Sequence, residues 1–365
     1  MRHYNIPIFI PHLGCPFNCI FCNQKNIARH EPAPEPSAVP IMVQRALETI
    51  PAAAGLEKEV EVAYFGGSFT ALDKRLQEHY LWDLQSFLDA GSIDGIRIST
   101  RPDFIDHSIL RFLLENGVKT IELGVQSLKD EVLESSGRGY TAQTVVNACT
   151  MIKEYGFKLG VQLMIGLPGD NYENDMETTI GTVSIAPDMV RIYPVLVIKD
   201  TGLEKLYLQG RYTPMGLEEA VSICCEMFLR FQQKGIEVIR MGLHPAEELR
   251  EEGVVIAGPF HPAFGELVEQ EAFKKQARVL LDNYISEKNL YSEVKLYSSY
   301  RDLSKMIGQK RTNLSYLNLL DGLPVIKRVQ VDEQLRKDEL GIGPAGSEEP
   351  ESKLSRTRFL EIYFQ

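Results

Sequence analysis

Long apolar runs are missing from this sequence. No stretch approaches the ~18 consecutive apolar residues that a membrane span needs, and the opening residues carry no apolar core of a secretory signal. These absences exclude a membrane-embedded chain and favour a soluble protein that stays inside the cell. We therefore expect a cytoplasmic protein without a membrane partner.

Cysteine is also sparse, with six residues among 365. They fall as a triplet (15, 19 and 22), a single residue (149) and an adjacent pair (224 and 225), which is not the arrangement of a disulfide framework. Side chains of adjacent helical residues diverge by about 100°. We therefore expect Cys224 and Cys225, like Cys149, to pack in the core.

Basic residues are outnumbered, with 39 Lys and Arg against 50 Asp and Glu and a net charge of −11. Phosphate contacts need clustered basic side chains, so this balance argues against a protein coated in nucleic acid but permits a local basic patch. The content of 44% hydrophobic and 24% charged residues is that of a globular chain.

Short β-branched runs alternate with longer amphipathic segments from residue 5 to about 194, as in repeated βα units. The fold class that we predict is α/β: a partial (β/α)6 barrel with a small C-terminal α+β module. The barrel should span residues 1–245 and the C-terminal extension residues 246–330. Residues 331–365 are charged and glycine-rich, which predicts a disordered tail. The predicted barrel strands are Ile6–Ile10, Val60–Phe65, Ile96–Thr100, Thr120–Gly124, Leu159–Ile165 and Val190–Pro194, and a further strand is predicted at Ile236–Met241.

Three cysteines follow the first predicted strand at a spacing of Cys15-x3-Cys19-x2-Cys22. Three thiolates on one loop suit three irons of a [4Fe–4S] cluster and leave the fourth iron open. The alternative is a zinc loop completed by His12 or His30. Structural zinc loops usually use paired Cys-x2-Cys motifs, so the spacing favours the cluster.

The sequence Cys-x3-Cys-x-Phe-Cys after a first strand resembles the radical S-adenosylmethionine (SAM) superfamily, with Phe21 as the aromatic residue. The resemblance implies a [4Fe–4S] cluster on Cys15, Cys19 and Cys22, with SAM bound to the open iron. It also implies that Phe21 packs beside the SAM adenine. A one-electron donor such as flavodoxin or ferredoxin would be the redox partner.

Polar and glycine residues at later strand ends extend the resemblance. Gly66, Gly67 and Ser68 resemble the family motif that binds the SAM amino group, and we expect Gly67→Val to block SAM cleavage while sparing the cluster. By similarity to oxygen-independent coproporphyrinogen oxidases, four further residues contact the SAM ribose or carboxylate: Ser99, Gln126, Arg138 and Gln162.

Two departures separate the chain from coproporphyrinogen oxidases. Gln24 stands where they carry a fourth cysteine, and the tyrosine that they place before the first cysteine has no counterpart that we can assign. The segments 65–70, 99–103 and 192–203 are more similar to the catalytic subunit of Elongator, a tRNA-modifying enzyme, although no acetyltransferase domain follows. The resemblance covers about residues 5–245.

A local basic segment lies near the C-terminus: residues 295–328 contain seven basic and two acidic residues. Gly308-Gln309-Lys310-Arg311 resembles the Gly-x-x-Gly loop of a KH domain, which would bind RNA through Lys310 and Arg311. The alternative is a solvated helix face. Three hypotheses follow: a radical SAM enzyme acting on a tRNA-like RNA, a radical SAM enzyme acting on a small molecule such as a tetrapyrrole, and a non-enzymatic iron–sulfur protein.

Overall fold

The computed structural model describes residues 2–15, 19–23, 32–51, 58–243, 249, 251, 253–288, 293–320 and 322–365. The chain divides into two compact units. The barrel unit comprises Met1–Leu217 and Ile236–Phe260, and the C-terminal unit comprises Glu218–Gly235 and His261–Gln365. No helix within the described ranges is long and apolar enough to cross a membrane.

The barrel unit contains a parallel sheet of seven strands in the order β1-β2-β3-β4-β5-β6-β8. Each neighbouring pair is parallel, as repeated βα units require. A two-stranded antiparallel ribbon joins β7 to β9. The strands are β1 (Arg2–Phe9), β2 (Lys58–Phe65), β3 (Gly95–Thr100), β4 (Val118–Gln126), β5 (Lys158–Ile165), β6 (Met189–Pro194), β7 (Val197–Ile198), β8 (Glu237–Met241) and β9 (Val255–Ala257).

Helices pack on the apolar face of this sheet. The buried Tyr64 of β2 donates its hydroxyl to the carbonyl of Tyr80, a helical residue, at 2.7 Å. Asp106 and Asn171 begin two helices by accepting backbone N–H groups of the first turn. The helices are α1 (Val39–Thr49), α2 (Lys74–Trp82), α3 (Gln85–Asp89), α4 (His107–Glu115), α5 (Asp130–Ser135), α6 (Ala142–Glu154), α7 (Tyr172–Ile185) and α8 (Gly202–Leu208).

The α/β prediction is confirmed, and all six predicted barrel strands lie in the sheet. The further strand also joins it: β8 pairs in parallel with β6, so the sheet has seven strands rather than six. We call the side of the sheet away from the helices the lumen face. It carries alternate residues of each strand, among them Arg97, Glu122 and Arg191.

The C-terminal unit is a small α+β structure, as predicted. Its four-stranded sheet has the order β11-β10-β12-β13, in which β10 and β11 are parallel and the other pairs antiparallel. The helices are α9 (Leu217–Gln233), α10 (Phe264–Lys288), α11 (Leu303–Ile307), α12 (Thr312–Asn318) and α13 (Arg356–Tyr363). The strands are β10 (Glu293–Ser298), β11 (Val325–Val331), β12 (Glu339–Pro344) and β13 (Ser352–Ser355).

The prediction of a disordered tail at residues 331–365 is wrong. Leu340 and Ile342 alternate along β12 and are fully buried, and Phe359 of α13 is buried as well. Gly341 lies between them in the same strand. A larger residue would not fit there, because a Cβ atom at this position would lie 2.6 Å from the Pro350 side chain. Many charged residues of this segment, such as Glu333, Arg336 and Lys337, are exposed, whereas its apolar residues in β12 recur with period two.

Candidate active site

The cysteine loop, of which residues 10–15 and 19–22 are described, follows β1. Its first part packs, backbone against backbone, on the end of β2. The Ser68 amide donates to the Leu13 carbonyl at 2.9 Å. A Cβ atom at Gly67 would lie 2.3 Å from that same carbonyl oxygen, and one at Gly14 would lie 2.3 Å from the Ser68 oxygen. The two glycines therefore permit close packing of the loop.

This packing bears on one expectation, the effect of Gly67→Val. A side chain at Gly67 would meet backbone atoms of Leu13 and Ile10, which favours displacement of the loop in Gly67→Val. That this variant spares the cluster stays a prediction. Gly66 differs, since its φ of 97° favours glycine and its Cβ position makes only ordinary contacts.

Arg138 links the cysteine loop to β4. Its Nη1 donates to the Cys19 thiol at 2.9 Å, its Nη2 to the Gly124 carbonyl at 2.6 Å and its Nε to the Tyr140 hydroxyl at 2.8 Å. Tyr140 in turn donates to the Gly124 carbonyl at 2.6 Å, and Arg101 donates to the Arg138 carbonyl. All three donor nitrogens of Arg138 are thus engaged by protein, so it positions Cys19.

Two cysteines and two arginines share one electrostatic environment. Burial raises the pKa of the Cys15 thiol and Cys19 raises it further, whereas Arg101 and Arg138 oppose that rise. Thiolates are the ligands of iron–sulfur clusters, and neighbouring guanidinium groups favour the thiolate form. This donor set fits an iron–sulfur cluster.

Cys22 lies one turn beyond Cys19, with its amide donating to the Cys19 carbonyl at 3.0 Å. Both residues line a polar pocket of about 580 Å³, together with Glu134 and Lys205. Within the described part of the chain, no group of three His, Cys, Asp or Glu side chains has metal-binding geometry. The zinc alternative named His30, which lies outside the described residues.

Phe21 is half-buried and packs on an apolar cluster that includes Leu167, Val195 and Leu203. The Leu203 amide donates to the Ile20 carbonyl at 2.7 Å, so this cluster also fixes the cysteine loop. The contact of Phe21 with the SAM adenine stays a prediction.

Ser99, Gln126 and Gln162 lie on β3, β4 and β5, but their surroundings differ. The Ser99 hydroxyl is buried and has no hydrogen-bond partner among the residues whose placement is described. Gln126 has a φ of 69°, an unusual backbone conformation of the kind found at ligand sites. Gln162 donates to Glu122 at 3.1 Å and so belongs to a charged network.

That network crosses the lumen face and was missed in the sequence. Arg97 donates to Glu61 and to Glu122, both at 2.7 Å, and Arg191 donates to Glu122 at 2.7 Å. Burial would raise the pKa of Glu61, but hydrogen bonds from His3 and the charge of Arg97 hold it at about 2. The sequence held one signal for this network. Each of its charged residues stands between two apolar residues in a predicted strand, which places the charge on the opposite face of the sheet.

Asp170 and Asp175 form a buried carboxyl pair at the start of α7. Burial raises the pKa of Asp175, and the neighbouring charge of Asp170 raises it further. One oxygen of each side chain has no partner among the described atoms. The pKa of Asp175 therefore lies well above that of an ordinary carboxyl group.

The remaining cysteines are core residues, as predicted: Cys149, Cys224 and Cys225 are all fully buried. In the C-terminal unit, Lys310 and Arg311 lie between α11 and α12 with φ angles of 52° and 65°. Both are exposed, and neither forms an ion pair within the described ranges.

Two family models match the chain: the radical SAM superfamily over residues 9–181 and the radical SAM C-terminal domain over residues 187–274. The chain belongs to the radical SAM superfamily and is an enzyme of that class. Membership implies SAM and a [4Fe–4S] cluster as cofactors.

A tRNA uridine(34) acetyltransferase of Methanocaldococcus jannaschii is 32% identical over 185 residues, which are 45% of this chain and 34% of the relative. An uncharacterized protein of the same organism is 30% identical over 243 residues, 61% of this chain and 70% of the relative. Elp3 of Methanocaldococcus infernus, solved without residues 1–46, has a TM-score of 0.56 at 20% identity and covers 79% of this chain and 64% of its own.

These relatives confirm the resemblance to Elongator catalytic subunits. At 20% identity, the similarity to the solved Elp3 structure shows a shared fold only. The chain spans about a third of the length of the acetyltransferase that it matches.

Proposed function

We propose that this enzyme reductively cleaves SAM at a [4Fe–4S] cluster held by Cys15, Cys19 and Cys22, in order to modify an RNA. The observation that carries the proposal is the 2.9 Å hydrogen bond from Arg138 to the Cys19 thiol. It ties the cysteine loop to the carboxyl end of β4, the edge where β/α barrels bind ligands.

Cys15, Cys19 and Cys22 would hold the cluster, which would supply the electron for cleavage of SAM to methionine and a 5′-deoxyadenosyl radical, the species that takes a hydrogen atom from substrate. A one-electron donor such as flavodoxin or ferredoxin supplies that electron. The protein holds the thiolates in place through Arg138 and through the loop packing at Gly14 and Gly67. The buried Ser99 hydroxyl offers a free donor to the SAM ribose or carboxylate.

The test is the iron content of anaerobically reconstituted variants. Cys15→Ala, Cys19→Ala and Cys22→Ala should each lose the cluster, because two thiolates leave two irons open. Cys149→Ala is the matched control, since Cys149 is buried in α6 away from the loop sequence. Parental iron content in the three loop variants, or loss in the control, would overturn the proposal.

RNA as substrate is supported by two observations. The M. jannaschii relative carries tRNA uridine(34) in its name, and Lys310 and Arg311 form an exposed pair in an unusual backbone conformation. The wider basic segment (residues 295–328) has fewer positive charges available for phosphate than its composition indicates. Lys295 is buried, and Lys327 pairs with Glu293 at 2.7 Å. The loop pair is therefore the phosphate contact that we propose.

Salt-dependent tRNA binding tests this contact. Replacing Lys310 and Arg311 by Ala should make the log–log salt slope shallower by about 1.4, at about 0.7 per phosphate. Arg336→Ala with Lys337→Ala is the matched control, an exposed basic pair in the same unit. A slope that is unchanged in the loop variant, or reduced equally in the control, would contradict the RNA contact and favour a small-molecule substrate.

A further inference from the structure

Three arginines and two glutamates lie on the lumen face of the barrel unit. Arg97 and Arg191 both donate to Glu122, and Arg97 also donates to Glu61. The third, Arg240, is the register neighbour of Arg191 across β6 and β8. Its Nε donates to a backbone carbonyl at 3.1 Å, and no ion pair joins it to the residues that are described. One positive charge on this face therefore has no acidic partner there.

The surroundings of Arg240 favour an anion. Burial lowers the pKa of the Arg240 guanidinium, and the positive charge of Arg191 lowers it further, whereas Tyr193 raises it. Arg191 and Tyr193 therefore both lie near Arg240. Two neighbouring cations in a partly buried site repel each other, and an oxyanion bound between them would offset that repulsion. Guanidinium groups bind carboxylate and phosphate oxygens through paired hydrogen bonds.

An aromatic surface lies beside these arginines. The Arg191 guanidinium is 5.5 Å from the centre of the Phe65 ring. Phe65 pairs in register with Phe9, and their ring centres are 6.3 Å apart. Phe9 is 46% exposed, although it is a large apolar side chain at the end of a barrel strand. Exposed aromatic rings of this kind stack on nucleobases.

We infer that the lumen face binds one nucleotide of the substrate, with its base against Phe9 and Phe65 and its phosphate at Arg191 and Arg240. This inference rests on the proposed function, because it assumes that the substrate is an RNA. A phosphodiester carries one negative charge, which matches Arg240, the one lumen-face arginine without an ion pair among the described residues. A coproporphyrinogen carries four carboxylates, for which this face has too little positive charge.

The test compares uridine with the methyl ester of uridine 5′-monophosphate, which carries one charge as a phosphodiester does. Binding to the reconstituted enzyme is measured by titration calorimetry. The ester should bind at least about tenfold more tightly than uridine, as expected for a charge-assisted hydrogen bond. Arg240→Gln should remove the preference for the ester, and Arg240→Lys should retain part of it. Phe9→Ala should weaken the binding of ester and uridine equally.

Arg211→Gln is the matched control, because Arg211 is an exposed arginine of the same unit that bonds only weakly to Gln209 at 3.4 Å. It should leave both affinities unchanged. Equal binding of ester and uridine by the parent enzyme, or a preference that survives Arg240→Gln, would overturn the inference. So would Arg240-dependent binding of coproporphyrin without binding of the ester.

Failure of this site and failure of the proposed function give different results. If the enzyme binds tRNA through Lys310 and Arg311 but shows no ester preference, only the lumen site is wrong. If it shows the ester preference but binds no tRNA, the RNA substrate is wrong and the lumen site is supported as a site for a free nucleotide.

Discussion

Removing the carboxylate of Glu61 should destabilise the barrel unit by about 3 kcal/mol. Glu61 is fully buried and accepts hydrogen bonds from His3, Thr120 and Arg97. In Glu61→Gln, Arg97 loses one of its two carboxylate partners while only 3% of its side chain is exposed. Loss of one partner of a buried ion pair costs about 3–5 kcal/mol.

The lowered pKa of Glu61, which reflects the same contacts, corresponds to a similar magnitude. A fall from 4.5 to about 2 corresponds to roughly 3 kcal/mol, at about 1.4 kcal/mol per pH unit. Because the folded pKa is lowered, this stability is fully present above pH 4.5 and is lost as the pH falls toward 2. The difference between parent and Glu61→Gln should therefore narrow over that range.

Urea unfolding followed by tryptophan fluorescence measures this difference, since the single tryptophan, Trp82, belongs to the barrel unit. Glu59→Gln is the matched control: Glu59 pairs with Lys158 at 2.7 Å, but the lysine side chain is 43% exposed, so its loss should cost under about 1 kcal/mol. An equal cost in both variants, or a difference that does not change with pH, would refute the reasoning.

Three further changes test other parts of the site. Asp175→Asn should raise the urea midpoint more at pH 8 than at pH 5, because the raised pKa makes the buried carboxyl increasingly unfavourable as pH rises; an equal gain at both would contradict this. Gly67→Ala should lower iron content by displacing the cysteine loop, whereas Gly216→Ala, with open space around its Cβ position, should not. Ser99→Ala should weaken SAM binding in equilibrium dialysis without loss of stability, since it removes a buried unpartnered hydroxyl, while the exposed Ser184→Ala should change neither.

The sheet was predictable because its signal is local. Runs such as Leu159–Ile165 are apolar, rich in β-branched residues and bounded by polar segments, which predicts buried parallel strands. The tail was mispredicted for the opposite reason. In β12 the buried Leu340 and Ile342 are separated by glycine, and charged residues dominate the composition around them.

The cysteine triplet was predictable from its spacing, whereas its surroundings were not. Arg138 lies 119 residues from Cys19 in sequence, and only the fold brings the two side chains together. The close packing of Gly67 on Leu13 was not predictable either, because the two residues belong to different segments of the chain. The charges of the lumen network lie on four strands, and their contacts follow only once strand order and register are known.

Cleavage of SAM is the measurement that tests the central claim most directly. The anaerobically reconstituted enzyme, reduced and supplied with SAM, should form 5′-deoxyadenosine and methionine in equal amounts, as detected by mass spectrometry. Cys19→Ala should form neither, because it lacks the thiol that Arg138 positions. A reduced, cluster-loaded enzyme that forms no 5′-deoxyadenosine, or a Cys19→Ala variant as active as the parent, would contradict the account.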